Sequence, residues 1–150
     1  MFEGLTKSAA RNIFFGGTIF FLAILVGLTV QSYVYIENTS TNLDKLTPRV
    51  AQGKAVWERH SCINCHTILG EGAYFAPELG NVWVRYGGLE DAEGARDGIK
   101  TWISSQPSGV EGRRQMPNFN INDEDLDALV DFFEWVSTIK NQNWPPNEAG

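Results

Sequence analysis

The pattern of apolar and polar positions divides the chain into a long uncharged segment near its start and a remainder of mixed polarity. Residues 13–36 carry no charged side chain, and as a helix they would be about 36 Å long. This length exceeds the roughly 30 Å of a bilayer hydrocarbon core. A cleaved signal peptide is the alternative, but its apolar region would be shorter. We therefore expect a membrane anchor at 1–37, with the transmembrane helix at about 13–36, and a separate domain at 38–150.

Helical periodicity dominates that second domain, so the fold class expected is all-α. A helix is predicted at 47–60, where Val50, Gly53 and Trp57 share one face and leave a notch suited to a close helix crossing. A shorter helix is predicted at 94–103. A last helix should begin after Asn122 as its N-cap. The side chains expected to form its buried stripe are Leu126, Leu129, Val130, Phe133 and Val136.

The balance of charge limits the possible partners. The formal net charge is −6, and acidic residues cluster at 90–97 and 123–134, which disfavours nucleic acid as a partner. Such runs usually form a solvated face, although a docking surface for another protein is an alternative.

The run Cys62-Ile63-Asn64-Cys65-His66 carries the clearest chemistry, because C-x-x-C-H is the spacing that attaches a c-type haem. Cys62 and Cys65 would bind the porphyrin covalently, and His66 would ligate the iron. A zinc site would need further Cys or His ligands, but the chain has two Cys and two His in all, and His60 lies just upstream. A thioredoxin-like motif would need alternating strands and helices nearby, which the pattern does not show.

A second iron ligand is expected at Met116, although methionine in helical proteins more often fills the core. The chain has two methionines, and Met1 would lie on the other side of the membrane. Met116 lies in a loop stiffened by a proline, between two predicted helices. Ligation by His66 and Met116 would leave no open position on the iron, so the centre would carry single electrons without activating a substrate.

Several stretches resemble a known family. ARN at 10–12, CINCHTILGEGAYFAPELGNV at 62–82, EGRRQMP at 111–117 and NWPPN at 143–147 are similar to class I cytochromes c and, in particular, to the small cytochrome c subunit of nitric oxide reductase. C-x-x-C-H alone indicates only a cytochrome c, whereas the glycine-rich loop together with the anchor is far more specific. The match spans nearly the whole chain.

The resemblance implies a heterodimer with a large multi-helix subunit that holds haem b and a haem/non-haem iron pair and reduces two NO to N2O and water. This chain would be its non-catalytic electron inlet, with no catalytic residues of its own and with a soluble cytochrome c or cupredoxin as the donor. Charges that flank the apolar segment do not settle its orientation. Because c-type haem is attached on the exported side, the resemblance implies a single-pass protein of the bacterial inner membrane, with a cytoplasmic N-terminus and a periplasmic haem domain.

The resemblance also implies roles for three residues near the haem. Pro77 is similar to the proline whose carbonyl accepts a hydrogen bond from the haem-ligating histidine, although Ala76 replaces the usual glycine and Gly80 directly follows Leu79. Gly72 and Tyr74 match a loop whose backbone oxygens help to hold calcium at the interface between the two subunits. Most of the other calcium ligands would come from the partner and the haem.

Two other classes of protein remain as alternatives. One is a membrane-anchored cytochrome c that shuttles electrons, or the cytochrome c subunit of a haem-copper oxidase. The other is a gas-sensing haem protein, which would need an open or labile iron position. The first would be distinguished by the partner that co-purifies, and the second by carbon monoxide binding.

Overall fold

A computed structural model describes residues 4–141, and these divide into two compact units, one up to residue 39 and one from residue 40. Met1 and the NWPPN segment at 143–147 lie outside the described residues. The described chain is mostly helical, which confirms the expected fold class. Its five α-helices within residues 4–141 are α1 (Lys7–Tyr35), α2 (Pro48–Arg59), α3 (Val82–Arg85), α4 (Ala92–Ser104) and α5 (Asp123–Ser137).

Helix α1 forms the first unit. It is long and apolar enough to cross a membrane, and no residue in it is buried within the chain. The helix begins six residues before the apolar stretch, because the Thr6 side chain caps it by accepting a hydrogen bond from the Ala9 N–H. At the other end a π-helical turn, Ile36–Ser40, follows directly. The helix therefore extends beyond the segment that apolarity alone predicts.

The crossing of α2 and α5 forms the centre of the second unit. Gly53 is buried at this crossing, and a Cβ atom placed on it would lie 1.9 Å from the Ala128 carbonyl oxygen. The predicted notch is therefore present and is filled by the backbone of α5. Trp57, one turn further along α2, is buried and meets the Phe133 ring edge-on at a centroid distance of 6.0 Å.

Helix α5 follows its prediction closely. Asn122 is the N-cap, and its Oδ1 accepts from the Asp125 N–H at 2.9 Å, which confirms the predicted cap. All five residues of the predicted stripe are buried, and Phe132 is buried as well. The buried face is wider than predicted because α5 contacts α2, α3 and α4.

The acidic residues of α5 are used within the domain. Asp131 lies 2.7 Å from Arg49 of α2 and 2.5 Å from Arg96 of α4, and Lys100 of α4 lies 2.9 Å from Asp127. The hydrogen bond from Lys100 is the main reason that the pKa of Asp127 is lowered. These carboxylates join three helices and do not form a uniformly solvated acidic face.

Two short strands and several turns connect α2 to α3. Strands β1 (Thr67–Ile68) and β2 (Glu71–Gly72) form an antiparallel hairpin with Thr67 opposite Gly72. A further parallel bridge joins Thr67 to Glu78. The segment that follows the cysteines is thus folded back on itself beside His66.

We predict that Gly53→Ala destabilises the second unit, because the added methyl group would overlap the main chain of α5. Overpacking of a core typically costs about 1–3 kcal/mol, and a clash with main chain should lie at or above the upper end of this range. The change is measured as the loss of folding free energy in thermal or denaturant unfolding of the detergent-solubilised protein.

Ala55→Ser is the matched control, because it adds one atom to the exposed face of the same helix and should change stability by no more than about 0.5 kcal/mol. Equal stability of the Gly53→Ala variant and the wild type would show that the crossing is not close-packed.

Candidate haem site

The cysteines lie in a single tight turn that follows α2. Ser61 adopts a left-handed conformation with φ of 54°, and the chain then enters a 3₁₀ turn at Cys62–Asn64. The Cys62 carbonyl accepts from the N–H of Cys65 at 3.1 Å and from the N–H of His66 at 2.9 Å. This turn places Cys62, Cys65 and His66 on the wall of one cavity.

The cavity has a volume of about 1000 Å³, at the upper end of the range of pockets that enclose small molecules, roughly 300–1,000 Å³. Met116 lies on its wall, from the loop between α4 and α5. Residues that also line it are Tyr74, Phe75, Ala76, Pro77, Glu78, Trp102, Gln106, Val110, Arg113, Arg114 and Phe119. Two thiols, an imidazole and a thioether therefore share one large, partly apolar cavity.

The His66 imidazole is held in one tautomer. Its Nδ1 lies 2.8 Å from the Pro77 carbonyl oxygen, and because a carbonyl can only accept, Nδ1 must carry the proton. Nε2 then has the free lone pair that a metal ligand requires. The contact has the partners that the resemblance implies for His66 and Pro77.

Burial lowers the pKa of His66, which is 8% exposed, against the opposing effect of its bond to Pro77. Arg85 lowers the pKa further through its positive charge. The imidazole is therefore neutral at pH 7, the form that binds iron. Behind it lies Trp57, with the two ring centroids 6.3 Å apart.

The two thiols are free and half-buried. Burial raises the pKa of Cys62 to about 11, so this thiol is protonated at neutral pH and is not a reactive thiolate. Among residues 4–141, no group of three or more His, Cys, Asp and Glu side chains could hold a metal ion. A zinc centre built from these thiols therefore has no support in the part of the chain that the structure describes.

Met116 is half-buried and packs against the hydrophobic core. Its loop is braced by Gln115, whose Oε1 accepts from the Ser108 hydroxyl and the Gly109 N–H, and whose Nε2 donates to the Val110 carbonyl at 2.9 Å. The thioether thus belongs to an ordered loop on the wall of the cavity that it shares with His66.

A link between the two sides of the cavity was not predicted. The Arg114 guanidinium lies 4.8 Å above the centre of the Phe75 ring and also donates to the Phe75 carbonyl oxygen. It joins the loop of Met116 to the loop of Pro77. The two adjacent arginines in EGRRQMP are visible in the sequence. The residue that Arg114 contacts, Phe75, is 39 positions away, and no local pattern connects the two.

Glu78 is the second feature that sequence reasoning missed. Its carboxylate is buried, with 4% of the residue exposed, and it accepts hydrogen bonds from the backbone of the loop that begins at Leu69. The available signal was a charged residue inside the otherwise apolar run Ala76-Pro77-Glu78-Leu79. Burial of this side chain depends on how the loop closes, which no periodicity reveals.

The remaining predicted residues lie at the edge of the site. Gly72 is exposed with φ of 128°, and Tyr74 is 69% exposed, with its hydroxyl 3.5 Å from the Gly70 carbonyl oxygen. Tyr74 lines the cavity, and Gly72 lies in β2 beside it. His60, which lies just upstream of the cysteines, is half-buried and packs against Phe119 at a centroid distance of 5.4 Å.

This donor set fits a covalently bound haem. Two thiols at the required spacing, a neutral imidazole with a fixed tautomer and a thioether are the groups that a c-type haem with His/Met ligation uses. Residues of the cavity wall such as Phe75, Trp102 and Phe119 supply apolar surface for a porphyrin.

Comparisons with known proteins identify the family of the chain. Residues 50–137 match the family model described as cytochrome c. The chain is 55% identical to the C subunit of nitric oxide reductase from Halomonas halodenitrificans and 54% identical to that from Paracoccus denitrificans, in both cases over all of this chain and all of the relative.

A more distant relative is cytochrome c oxidase subunit 2 of Alkalihalophilus pseudofirmus, which is 28% identical over 77% of this chain and 34% of its own length. The full-length matches and the family model identify the chain as a member of the cytochrome c family that belongs with the C subunits of nitric oxide reductase.

Proposed function

We propose that this chain is the electron-transfer subunit of a nitric oxide reductase, with a single c-type haem bound through Cys62, Cys65, His66 and Met116. The observation that carries the proposal is that these four side chains line one cavity. The haem, when bound, supplies a one-electron Fe(III)/Fe(II) couple. The chain would accept electrons from a soluble periplasmic cytochrome c or cupredoxin and pass them to the catalytic subunit.

The chain's own residues favour electron transfer over catalysis. Cys62 and Cys65 would each form a thioether bond to a vinyl group, with the sulfur adding to one carbon and the thiol proton going to the other. His66 and Met116 would both ligate the haem iron, so NO would find no open site on it. The donation from His66 Nδ1 to Pro77 keeps the imidazole fixed without taking up its Nε2.

Stoichiometry points to the same division of roles. Reduction of two NO to N2O needs two electrons, and a single haem supplies one at a time. The described residues 4–141 offer no cluster for a second iron. We therefore place the haem b and the haem/non-haem iron pair, together with the reaction 2 NO + 2 e⁻ + 2 H⁺ → N2O + H2O, in a large multi-helix partner subunit.

The proposed location follows from α1. A helix of this length and composition, with no residue buried inside the chain, suits a single pass through the bacterial inner membrane and contact with lipid. Because c-type haem is attached on the exported side in the family that the chain resembles, we propose that the domain that follows lies in the periplasm and the N-terminus in the cytoplasm. The division of the chain at residue 39 is consistent with an anchor at 1–37 and a haem domain at 38–150.

The loop that carries Gly72 and Tyr74 is our proposed contact with the catalytic subunit. Tyr74 at 69% exposure and Phe75 at 50% form an apolar edge beside the cavity, where a partner could cover them. Calcium at this contact would be held by backbone oxygens here and by carboxylates from the partner and the haem.

The main alternative is a free membrane-anchored shuttle or an oxidase subunit. The partial similarity to a cytochrome c oxidase subunit 2 is the observation in its favour. The relatives from nitric oxide reductase match over their full length at about twice that identity, which favours the reductase. Co-purification separates the two: a reductase subunit should co-purify with a large subunit that holds haem b and non-haem iron.

The first prediction from the proposed function concerns Met116. Met116→Ala should keep the covalent haem but lower its reduction potential and allow ferrous carbon monoxide binding, because the thioether favours ferrous iron and closes the sixth position. Potentiometric titration and carbon monoxide difference spectra measure both effects.

Val110→Ala is the control for Met116→Ala, since it shortens another side chain on the cavity wall and removes no ligand. A Met116→Ala protein with the potential and carbon monoxide response of the wild type would refute the assignment of Met116.

The second prediction concerns the contact between the two subunits. Tyr74→Ala should weaken association with the catalytic subunit by about 2 kcal/mol, the loss typical of the few residues that dominate an interface, while haem attachment continues. Leu89→Ala is the control, because Leu89 is equally exposed, at 72%, and lies outside this loop. Co-purification ratios that are equal for both variants would contradict a contact at Tyr74.

Gly72→Val is a poorer probe of the same contact. A Cβ atom on Gly72 would lie 2.3 Å from the His66 carbonyl oxygen, and its φ of 128° is strained for any other residue. We therefore expect this variant to reduce both assembly and haem attachment, measured as haem stain per chain.

The third prediction tests the electron-inlet role directly. A fragment that begins at residue 38, with haem attached, should be reduced by a soluble donor but should produce no N2O from NO in excess reductant. The intact complex should produce N2O under the same conditions. Sustained N2O formation by the fragment at the rate of the complex would make this chain the catalyst.

A further inference from the structure

Glu78 is a buried carboxylate to which the proposed electron transfer gives no role. Its Oε1 accepts from the N–H groups of Leu69 and Gly80, each at 2.8 Å, and its Oε2 accepts from the Gly70 N–H at 3.2 Å. Three backbone donors thus converge on a single side chain that is 4% exposed. Charge-assisted bonds of this kind are stronger than those between neutral groups.

Two of these donors come from a loop with an unusual backbone conformation. Leu69 has φ of 53° and Gly70 has φ of 83°, so two successive residues are left-handed and direct their N–H groups towards one point. Left-handed leucine is strained, and such strain persists only where the surroundings impose it. A Cβ atom on Gly80 would lie 2.8 Å from Glu78 Oε1, so the carboxylate also occupies the space that a side chain there would need.

The main chain of Glu78 is fixed as well. Its carbonyl oxygen accepts from Arg85 Nη2 at 2.9 Å, and the residue pairs with Thr67 in a parallel bridge. The next residue, Leu79, donates its N–H to the Thr67 carbonyl at 2.8 Å. Side chain and backbone together therefore hold Glu78 in a single position beside β1.

This position determines where the acceptor of His66 lies. The Pro77 carbonyl and the Glu78 N–H belong to the same planar peptide group, so a shift of Glu78 rotates that carbonyl. The carbonyl oxygen lies 2.8 Å from His66 Nδ1. A change of orientation would lengthen or break this bond, which tunes how strongly the imidazole donates to the iron.

We propose that Glu78 is a positioning residue for the haem-ligating histidine: its buried carboxylate fixes the Pro77–Glu78 peptide, and thereby the hydrogen bond that orients His66 and sets its donor strength. The inference rests on the proposed ligation of iron by His66. Two effects follow from the geometry. The hydrogen bond increases electron donation by the imidazole, and the negative charge in a buried site favours ferric iron, so both lower the reduction potential.

Three substitutions separate the positional effect from the effect of charge. Glu78→Gln keeps the side-chain length and an oxygen for Leu69 and Gly80, but removes the charge and the acceptor of the Gly70 N–H. Glu78→Asp keeps the charge but withdraws the oxygens by one methylene group. Glu78→Ala removes both. Glu71→Ala is the control, since it removes a negative charge from an exposed position in the same loop.

The variants are compared in the full complex with its catalytic subunit. Electron paramagnetic resonance of the ferric c-type haem gives g values, which respond to the axial ligands and little to a remote charge, and redox titration gives the midpoint potential. We expect shifted g values in Glu78→Asp and Glu78→Ala and wild-type g values in Glu78→Gln. The potential should rise in Glu78→Gln and rise most in Glu78→Ala, whereas Glu71→Ala should match the wild type in both measurements.

Wild-type g values in both the Asp and the Ala variants would overturn the inference, as would a shift in Glu78→Gln as large as that in Glu78→Ala. If Glu78→Ala attaches no haem, the comparison of the Asp and Gln variants decides alone. A result against the proposed function can be distinguished from a result against the role of Glu78. It would be seen in the wild type, as a ferric spectrum without the low-spin signal of His/Met ligation, before any variant is compared.

Discussion

The hydrogen bond between His66 Nδ1 and the Pro77 carbonyl oxygen connects the two halves of the site. One partner belongs to the turn that carries the cysteines, and the other belongs to a loop that returns to it eleven positions later. The bond fixes the tautomer and orientation of the imidazole, and it requires the loop to close over β1. Three features hold the loop in this closed position: the hairpin, the bridge between Thr67 and Glu78, and the hydrogen bonds of the Glu78 carboxylate. A single 2.8 Å contact thus depends on the conformation of the whole segment 66–80.

Support for this bond comes from the helix crossing behind it. Gly53 allows α2 to approach the main chain of α5 closely, and the same crossing brings Trp57 of α2 against both Phe133 and His66. The ring of the histidine therefore rests on a close-packed interior on one side and faces the cavity on the other. Because packed interiors resist deformation, the imidazole has little freedom to tilt. The rigidity of the site originates in Gly53, which lines no part of the cavity and is not one of the proposed haem ligands.

The features that could be predicted from the sequence are those encoded by residues close together in the chain. The notch at Gly53, the cap at Asn122 and the buried stripe of α5 are local patterns, and the structure has all three. The spacing of Cys62, Cys65 and His66 is local as well. The roles of Glu78 and Arg114 were not predictable, because each depends on contact with a loop whose left-handed residues leave no periodic signature. The start of α1 at Lys7 was missed since helix formation continues beyond the apolar positions that indicate a membrane span.

Electron transfer requires a site whose surroundings stay fixed, and this requirement explains why so many contacts hold the segment 66–80. A centre that changes charge by one unit works best when its surroundings need not rearrange between the two states, since preorganised dipoles cost nothing at the moment of transfer. The fold fixes Glu78 and its three backbone donors. The hydrogen bond from His66 is accepted by the backbone carbonyl of Pro77, which does not change its protonation state. Arg114 ties the loop of Met116 to the loop of Pro77, so both proposed ligands are held relative to each other. The same rigidity that suits one-electron exchange would hinder the opening that a substrate needs, and this supports our proposal that NO is reduced in a partner subunit.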